Sequence, residues 1–428
     1  MANSTELISS HTLRAGMAGM GMIFDETYAP LFEDAHRGLY DPAFGVCRVE
    51  FAATATRTGR RAESFRERAG ETFSSFESFR EPGSVEAMLG SDVDFVCVAT
   101  PDDRHFPAAR AALEAGKHVL IEKPSVLSLD QLDELVALSE AKGVLAKVVY
   151  HKLLDPDHKK FATLYHDGVL RHVNNGYCVL LEPKAIAMEQ FAEWIEGRNP
   201  GTYVAVHYIK LIDHSFGGTL KRVSCTGQRG IVGPPDGDTW DSTQLRLEYE
   251  YESGREAAFD IHTSWVTPDN FPGYVEQEVQ FRFDNGVWNG HSRKRGVECT
   301  IEGQTPNESK ISINNHFNGS FREPWGERSR RGYGIEAIER FVREVAYAEF
   351  GKEDDRETRI ERMRQLTYND LGADRQTVAA VQAMEAILAR HASGVPGCVV
   401  TIDGPDGGLV LHRPGESQGE VLYSGRVS

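Results

Sequence analysis

The stretch Gly116-Lys-His-Val-Leu-Ile-Glu-Lys-Pro124 constrains the fold more than any other in this 428-residue chain. Gly116 suits the left-handed position that closes a helix, where a Cβ would clash. Val119, Leu120 and Ile121 form an apolar run of the length expected for a buried strand of a parallel sheet. Glu122 and Lys123 then stand at the carboxyl end of that strand, which is where open α/β sheets bind ligands. Pro124 removes a backbone donor and biases Lys123 to an extended backbone. Two such residues could equally be a surface ion pair capping a strand; their strand-end position makes them a candidate site.

The flanking segments fit the same sheet. Leu13, Ala15 and Met17 alternate with Arg14, Gly16 and Ala18 as a weak first strand after a polar start over residues 1–11, which is expected to be disordered. Gly19-Met20-Gly21-Met22-Ile23-Phe24 follows and opens a helix. Glycines at this place let the backbone approach a pyrophosphate at the helix N-terminus. The third glycine of the usual fingerprint is missing, so helix and strand must pack differently there. A linker over residues 36–45 leads to a second strand, Val46 to Ala55, whose end reads Thr56-Arg57-Thr58-Gly59-Arg60-Arg61. The spacing to that end exceeds the roughly 20 residues of the simple fingerprint. Asp94 to Ala99 reads as another strand, ended by Thr100-Pro101. Ser128-Leu-Asp-Gln131 is a capping box for a helix that buries Leu129, Leu132, Leu135 and Val136 and stops at Gly143. Val144 to Tyr150 closes the set. Strands alternating with helices across short loops predict an α/β fold, with a Rossmann dinucleotide-binding domain over residues 1–150.

The ordered set Asp92-Val-Asp-Phe-Val-Cys-Val-Ala-Thr-Pro101, His105 and Gly116 to Pro124 resembles the Gfo/Idh/MocA family. That family comprises NAD(P)-dependent dehydrogenases acting mostly on sugars, inositols and related polyols. The resemblance is strong over residues 90–150, partial before them, and traceable through the second half. It implies that Gly19, Met20, Gly21, Met22 and Ile23 hold the cofactor, together with Thr100, Pro101 and His105 beneath the nicotinamide and ribose, and with Glu122 and Lys123. Where NAD enzymes usually place an acidic residue on the ribose diol, this chain has Thr56 followed by Arg57. A hydroxyl and a guanidinium suit a 2′-phosphate. NADP is therefore the preferred cofactor and NAD the other possibility, the competing reading being that Arg57, Arg60 and Arg61 are a solvated helix start.

A second domain is expected over residues 151–402, with an extension over 403–428. His151-Lys152 stands where the family often has an asparagine-arginine pair, so both residues are candidate substrate contacts. A helix (Pro156 to His166), a strand (Leu170 to Leu181) and a helix (Ala185 to Glu196) lead to Thr202–Gly217. Read as a helix, that stretch puts Tyr203, His207, Lys210 and His214 on one polar stripe of an otherwise apolar surface. Such a stripe faces either a polar cavity or solvent; its narrowness favours the cavity. By the resemblance, His207 matches the histidine of an Asp-x-x-x-His pattern. Tyr203 replaces the aspartate, and Lys210 stands where a second aspartate is common. Strand-like runs over Arg222 to Val232, Gln244 to Glu252, Glu256 to Trp265, Glu276 to Phe283 and Lys310 to Phe317 predict an α+β domain with a large, mostly antiparallel open sheet. An open face of that sheet is the expected interface of a homodimer or homotetramer. Trp265, Arg293, Arg295, His316 and Trp325 are weaker candidates for a sugar site. Two helices, Tyr333 to Phe350 and Asp374 to His391, and a strand, Cys398 to Ile402, close the domain before a Gly-rich hairpin extension.

The formal net charge of −17 argues against nucleic-acid and anionic-membrane partners. Six cysteines without a CxxC pair read as buried thiols, with neither a disulfide framework nor a metal site. No apolar run approaches the ~20 residues of a membrane span, and no secretory signal is visible, so the cytoplasm is the expected compartment. The resemblance implies an oxidoreductase taking a small polyol or sugar. The expectation is that Lys123 orients and stabilises the hydroxyl oxygen, His207 is the acid/base, Tyr203 is its hydrogen-bond partner, and Lys210 and His214 contact the substrate. Two other readings stay open. One is an NAD-dependent glycosidase working through transient oxidation, against which Thr56-Arg57 weighs. The other is a non-catalytic NAD(P)-sensing protein, against which the retention of Lys123 and His207 weighs.

Overall fold

The computed structural model describes residues 8–425, apart from residues 36, 70–72, 74, 270–274, 292–299, 303–308, 312–314 and 405. Arg293 and Arg295 lie outside the described residues, as do residues 1–7. The chain divides into two compact units, each assembled from separate stretches. The first gathers Met1–Val126, Gln131–His151 and Phe317–Ala373; the second gathers Leu127–Asp130, Lys152–His316 and Asp374–Ser428. A single boundary at residue 150 was expected, so the return of residues 317–373 to the first unit is a difference.

The first unit is built on β1 (Ser10–Ala18), β2 (Leu39–Asp41), β3 (Gly45–Thr56), β4 (Glu77–Arg80), β5 (Phe95–Val98), β6 (His118–Ile121) and β7 (Ala146–Val148). They run in the order β2-β3-β1-β5-β6-β7, with β4 beside β3. All pair in parallel except β2, which turns back antiparallel on β3 within the stretch expected to be a linker. Every residue of β5, β6 and β7 is buried, which is why these strands are apolar apart from His118 and Lys147. Phe51 of β3 is the hub of an aromatic core, its ring meeting those of Phe24, Phe32, Phe65, Phe73 and Phe76. Strand order reverses at β1, and that switch point places the ends of β1, β3 and β5 around one crevice.

The returning segment is held by a buried lysine. Val148 donates its N–H to Asn369 O at 2.8 Å and Leu371 donates to Ala146 O at 3.1 Å, so residues 369–371 cover the outer edge of β7. Between them the fully buried Lys147 reaches Asp370 Oδ1 at 3.2 Å, Glu344 Oε2 at 3.7 Å and Met363 O at 2.5 Å. Tyr368 and Asn369 donate to the same Glu344 carboxylate. The helix Tyr333–Phe350 is as expected. The helix Arg356–Arg364 is not, because only Arg359 and Ile360 of it are buried and no apolar stripe marks it; its N-cap Asp355 accepts from Thr358 N at 2.8 Å.

The second unit is a nine-stranded sheet with helices on one face. Its strands are β8 (Val173–Pro183), β9 (Thr219–Gln228), β10 (Ser242–Glu250), β11 (Glu256–Thr267), β12 (Glu276–Phe283) and β13 (Gly286–His291), followed by Val399–Ile402, Leu409–His412 and Glu420–Tyr423. The order is β13-β12-β8-β11-β10-β9 and then the last three in sequence. Only β8 and β11 pair in parallel. Residues 403–425 thus extend the sheet as a hairpin. The inner face buries Phe259 and Phe281 against Phe216. The other face carries Gln244, Arg246, Asp260 and His262, with Arg246 3.2 Å from its cross-strand partner Asp260. Two expected elements are corrected. Residues 185–196 contain only one π turn, Ile186–Gln190. The strand expected over 310–317 is Ser309–Ile311 followed by the short helix Asn315–Asn318, with residues 312–314 outside the description. Among the described residues no helix is long and apolar enough to cross a membrane.

Replacing Lys147 by Ala leaves Glu344 and Asp370 without their cation. It should lower the unfolding free energy by about 3–5 kcal/mol, read as a fall in the urea midpoint; an unchanged midpoint would show that the network does not hold the returning segment.

Candidate cofactor and active site

In the first unit the glycine loop leaves β1 at Ala18. Gly19 has φ +88°, gives its N–H to Ala55 O at 2.9 Å, and lies so close to the end of β5 that a Cβ would fall 2.4 Å from Ala99 O. At Gly21 a Cβ would meet no described atom within 4 Å, so the loop presents open space there. Met20 is buried, and Met22 and Ile23 open the helix half-buried. The helix begins with a π turn, Phe24–Tyr28, before Ala29–Ala35. Phe24, at the place of the missing third glycine, packs edge-on against Phe65 at 5.0 Å. A bulky contact thus replaces the close helix–strand approach.

Thr56 ends β3 and accepts from Gly59 N at 3.0 Å through its hydroxyl, whose own hydrogen is left to donate. Arg57 follows on the exposed side. Beyond β5, Thr100 turns a buried hydroxyl that has no hydrogen-bond partner among the described residues. A buried hydroxyl of this kind is costly unless something completes it. Together with the side-chain-free approach at Gly19 and the open space at Gly21, it fits a bound dinucleotide.

His105 was expected beneath the nicotinamide. It is instead enclosed, with Nδ1 2.7 Å from Pro124 O and Nε2 2.8 Å from Thr100 O. Burial lowers its pKa and favours the neutral ring, which has one N–H and so serves one of the two carbonyls at a time. Its effect is to tie the Thr100-Pro101 loop to the loop after β6. Glu122 is buried at the end of β6 and accepts from Tyr28 Oη at 2.9 Å. Burial raises the Glu122 carboxyl above its ordinary range, opposed by the Lys123 charge and the tyrosine. Lys123 itself is half-buried at the strand end. His151 is buried with its ring edge-on to Phe317 at 5.5 Å.

In the second unit the expected stripe divides. A π turn, Gly201–Ala205, precedes the α-helix Val206–Phe216 and breaks the 3.6-residue spacing on which the stripe rested. Tyr203 turns into an aromatic cluster with Phe191, Trp194 and Trp265, at centroid distances of 4.9, 5.8 and 6.1 Å. Trp265 is fully buried and donates Nε1–H to Glu182 at 2.8 Å, so it packs the cluster and is enclosed away from a substrate surface. His207 is buried on the helix. Lys210 is buried too, 3.7 Å from the fully buried Asp374. Beside it, burial pushes the Asp213 carboxyl up to about 6 against the pull of Lys210. Lys210 therefore belongs to an internal ion pair, a correction to its expected substrate contact. His214 sits exposed in the last turn. Lys152 is buried, hydrogen-bonded to the Gln277 side chain and 5.9 Å from the Tyr208 ring centre. His316 and Trp325 are exposed.

Sequence reading missed Tyr28, whose partner Glu122 lies 94 residues away. It also missed the grip on the same turn from residues 318 and 330. Arg330 donates to Asp25 O at 3.1 Å and Glu26 O at 3.3 Å, and Asn318 donates to Glu26 O at 3.5 Å. No local pattern could have marked these residues, since each acts on backbone or side chains brought near only by the fold.

Residues 13–150 match the model of an oxidoreductase family with an NAD-binding Rossmann fold. Over 82 residues the chain is 42% identical to the uncharacterised oxidoreductase YdgJ of Escherichia coli (strain K12), covering 19% of this chain and 24% of that protein. Over 186 residues it is 32% identical to scyllo-inositol 2-dehydrogenase (NADP(+)) IolW of Bacillus subtilis (strain 168), covering 42% of this chain and 49% of that protein. The matched stretches thus span from about a quarter to about half the length of these curated relatives. The solved structure of scyllo-inositol dehydrogenase from Lactobacillus casei, with bound NAD(H) and scyllo-inositol, superposes with a TM-score of 0.61 at 13% identity, over 91% of this chain and 99% of that one, a likeness of fold. Residues 13–150, which carry the glycine loop and the Thr100 and Lys123 strand ends on one Rossmann unit, thus match the NAD-binding domain of the Gfo/Idh/MocA oxidoreductase family.

Proposed function

We propose that the chain is an NADP-preferring dehydrogenase acting at a hydroxyl or keto carbon of a sugar, inositol or related polyol. The observation that carries this reading is Lys123, held at the carboxyl end of β6 beside buried Glu122 and next to the loop that His105 ties to Thr100. The name of the Bacillus relative, a scyllo-inositol dehydrogenase of the NADP(+) type, supports both substrate class and cofactor.

Bound nicotinamide supplies the two-electron acceptor or donor. Gly19 to Ile23 would hold its pyrophosphate, Thr100 and Pro101 its ribose side, and Thr56 with Arg57 the adenosine 2′-phosphate. Lys123, protonated, donates a hydrogen bond to the substrate oxygen and steadies negative charge as it develops there. His207 takes the hydroxyl proton in oxidation and returns it in reduction. Tyr203, packed among aromatic rings, has no part in the chemistry in this reading; it supports the turn that leads into the His207 helix. Self-association is placed on the exposed face of the nine-stranded sheet, and light scattering of the purified protein checks it.

Arg57→Ala should weaken NADPH binding about 10- to 100-fold, as expected for a lost charge-assisted pair, with NADH binding nearly unchanged. Tryptophan quenching during parallel titrations reads both; tighter NADH than NADPH binding in the wild type would sink the NADP assignment. His207→Ala should lower kcat by about 10²–10⁴-fold in a polyol and sugar screen, with cofactor Kd within about twofold. Equal losses in turnover and cofactor affinity would remove His207 from the acid/base role. Sugar release without net nucleotide reduction, by protein that keeps its cofactor through purification, would favour the glycosidase reading.

A further inference from the structure

Tyr28 is fully buried in the first unit, yet its hydroxyl has one well-formed bond, to Glu122 Oε1 at 2.9 Å. It closes the π turn Phe24–Tyr28, which begins three residues after Gly21. A π turn holds one more residue than an α turn, which changes the direction of the residue that ends it. That turn is gripped from its other side by Arg330 and Asn318 through the carbonyls of Asp25 and Glu26. On the receiving side, Glu122 is the residue immediately before Lys123 and is itself buried. One hydrogen bond therefore joins the helix that follows the glycine loop to the carboxylate beside the candidate catalytic lysine.

We propose that Tyr28 is a positioning residue that acts through Glu122, keeping its carboxylate ionised and fixed so that the neighbouring Lys123 stays charged. The proposal rests on the role given to Lys123 above. Burial holds the phenol well above its usual range, so Tyr28 keeps the proton that it donates to Glu122. Its bond favours the ionised form of Glu122, whose burial favours the neutral form. The titratable groups next to this pair are Cys97, His105 and, through His105, Asp102. Burial keeps the Cys97 thiol protonated and the His105 ring neutral. Asp102 acts on His105. Without the tyrosine hydroxyl the Glu122 carboxyl rises further and becomes neutral over more of the working range. Lys123 then loses its anionic neighbour, and its own pKa falls. If protonated Lys123 is the working form, activity is lost as pH rises through that pKa, so the alkaline limb of the kcat profile moves to lower pH.

The test is Tyr28→Phe in the full chain, with two readouts. Trace acetylation followed by mass spectrometry gives the titration midpoint of Lys123 directly and needs neither cofactor nor turnover. The midpoint should fall by about half a pH unit or more. In the kinetic readout, kcat should fall about tenfold with cofactor KM within about twofold, and the alkaline limb should move the same way. Glu122→Gln should lower the midpoint as well, and the double variant should be no lower than Glu122→Gln alone, because both changes act on one link. An unchanged Lys123 midpoint in Tyr28→Phe overturns the proposal even if kcat falls. So does a double variant whose effects add. Should Tyr28→Phe not fold, an unchanged midpoint in Glu122→Gln overturns it. A wild type that turns over no polyol would count against the dehydrogenase reading alone, since the labelling midpoints stand without it.

Discussion

The close approach of Gly19 to the ends of two neighbouring strands is the contact on which the first unit depends. Its N–H goes to Ala55 at the end of β3, and its α-carbon faces Ala99 at the end of β5 with no room for a side chain. Parallel strands joined by crossovers bring their carboxyl ends to one edge, and reversal of strand order opens a crevice there. What stands in that crevice follows from where each strand stops: Thr56 and Arg57 after β3, Thr100 after β5, Lys123 after β6. Bringing a bulky residue to position 19 would separate the loop from β5 before it disturbed any one contact with a ligand.

Each unit also spends a buried lysine on holding remote chain together. Lys147 meets Glu344 and Asp370 in the first, and Lys210 meets Asp374 in the second. Such pairs recover their desolvation cost only where further hydrogen bonds complete the ions. Tyr368, Asn369 and the Met363 carbonyl do this around Lys147, and Gln376 does it for Asp213 beside Lys210. The geometry these ions demand is narrow, so they select one docking of the returning segment, where apolar packing alone would tolerate several. Glu122 belongs to the same pattern with a different outcome. It lies one residue from a lysine that stays half-exposed, so its charge state is felt at a surface that can meet a ligand.

The first unit's sheet was legible in the sequence because strands buried on both faces must be apolar throughout, and Phe95 to Val98 and His118 to Ile121 are nearly so. The second sheet was legible because strands half-buried against helices must alternate, as Glu276 to Phe283 does. Helix ends marked by glycine or proline, such as Pro156 and Gly116, fell where local chemistry places them. The glycine loop and the Glu122-Lys123 strand end were readable for the same reason: their conformations are set by neighbours in sequence.

Tertiary structure decided the rest, because it depends on partners that sequence distance hides. The polar stripe of residues 203–214 obeyed helical spacing on paper. One π turn sent Tyr203 into an aromatic cluster, and one carboxylate 164 positions later took Lys210. The helix Arg356–Arg364 has no apolar stripe to announce it and exists through its cap and through Arg359, which donates to the carbonyls of Ala348 and Asp354. The Tyr28 hydroxyl found its partner only when the sheet brought Glu122 to it across 94 residues of sequence. Periodicity and turn chemistry act over a few residues and so determined the elements and the strand ends; ion pairs, buried hydrogen bonds and the return of residues 317–373 act across hundreds, and only the folded chain could assign them.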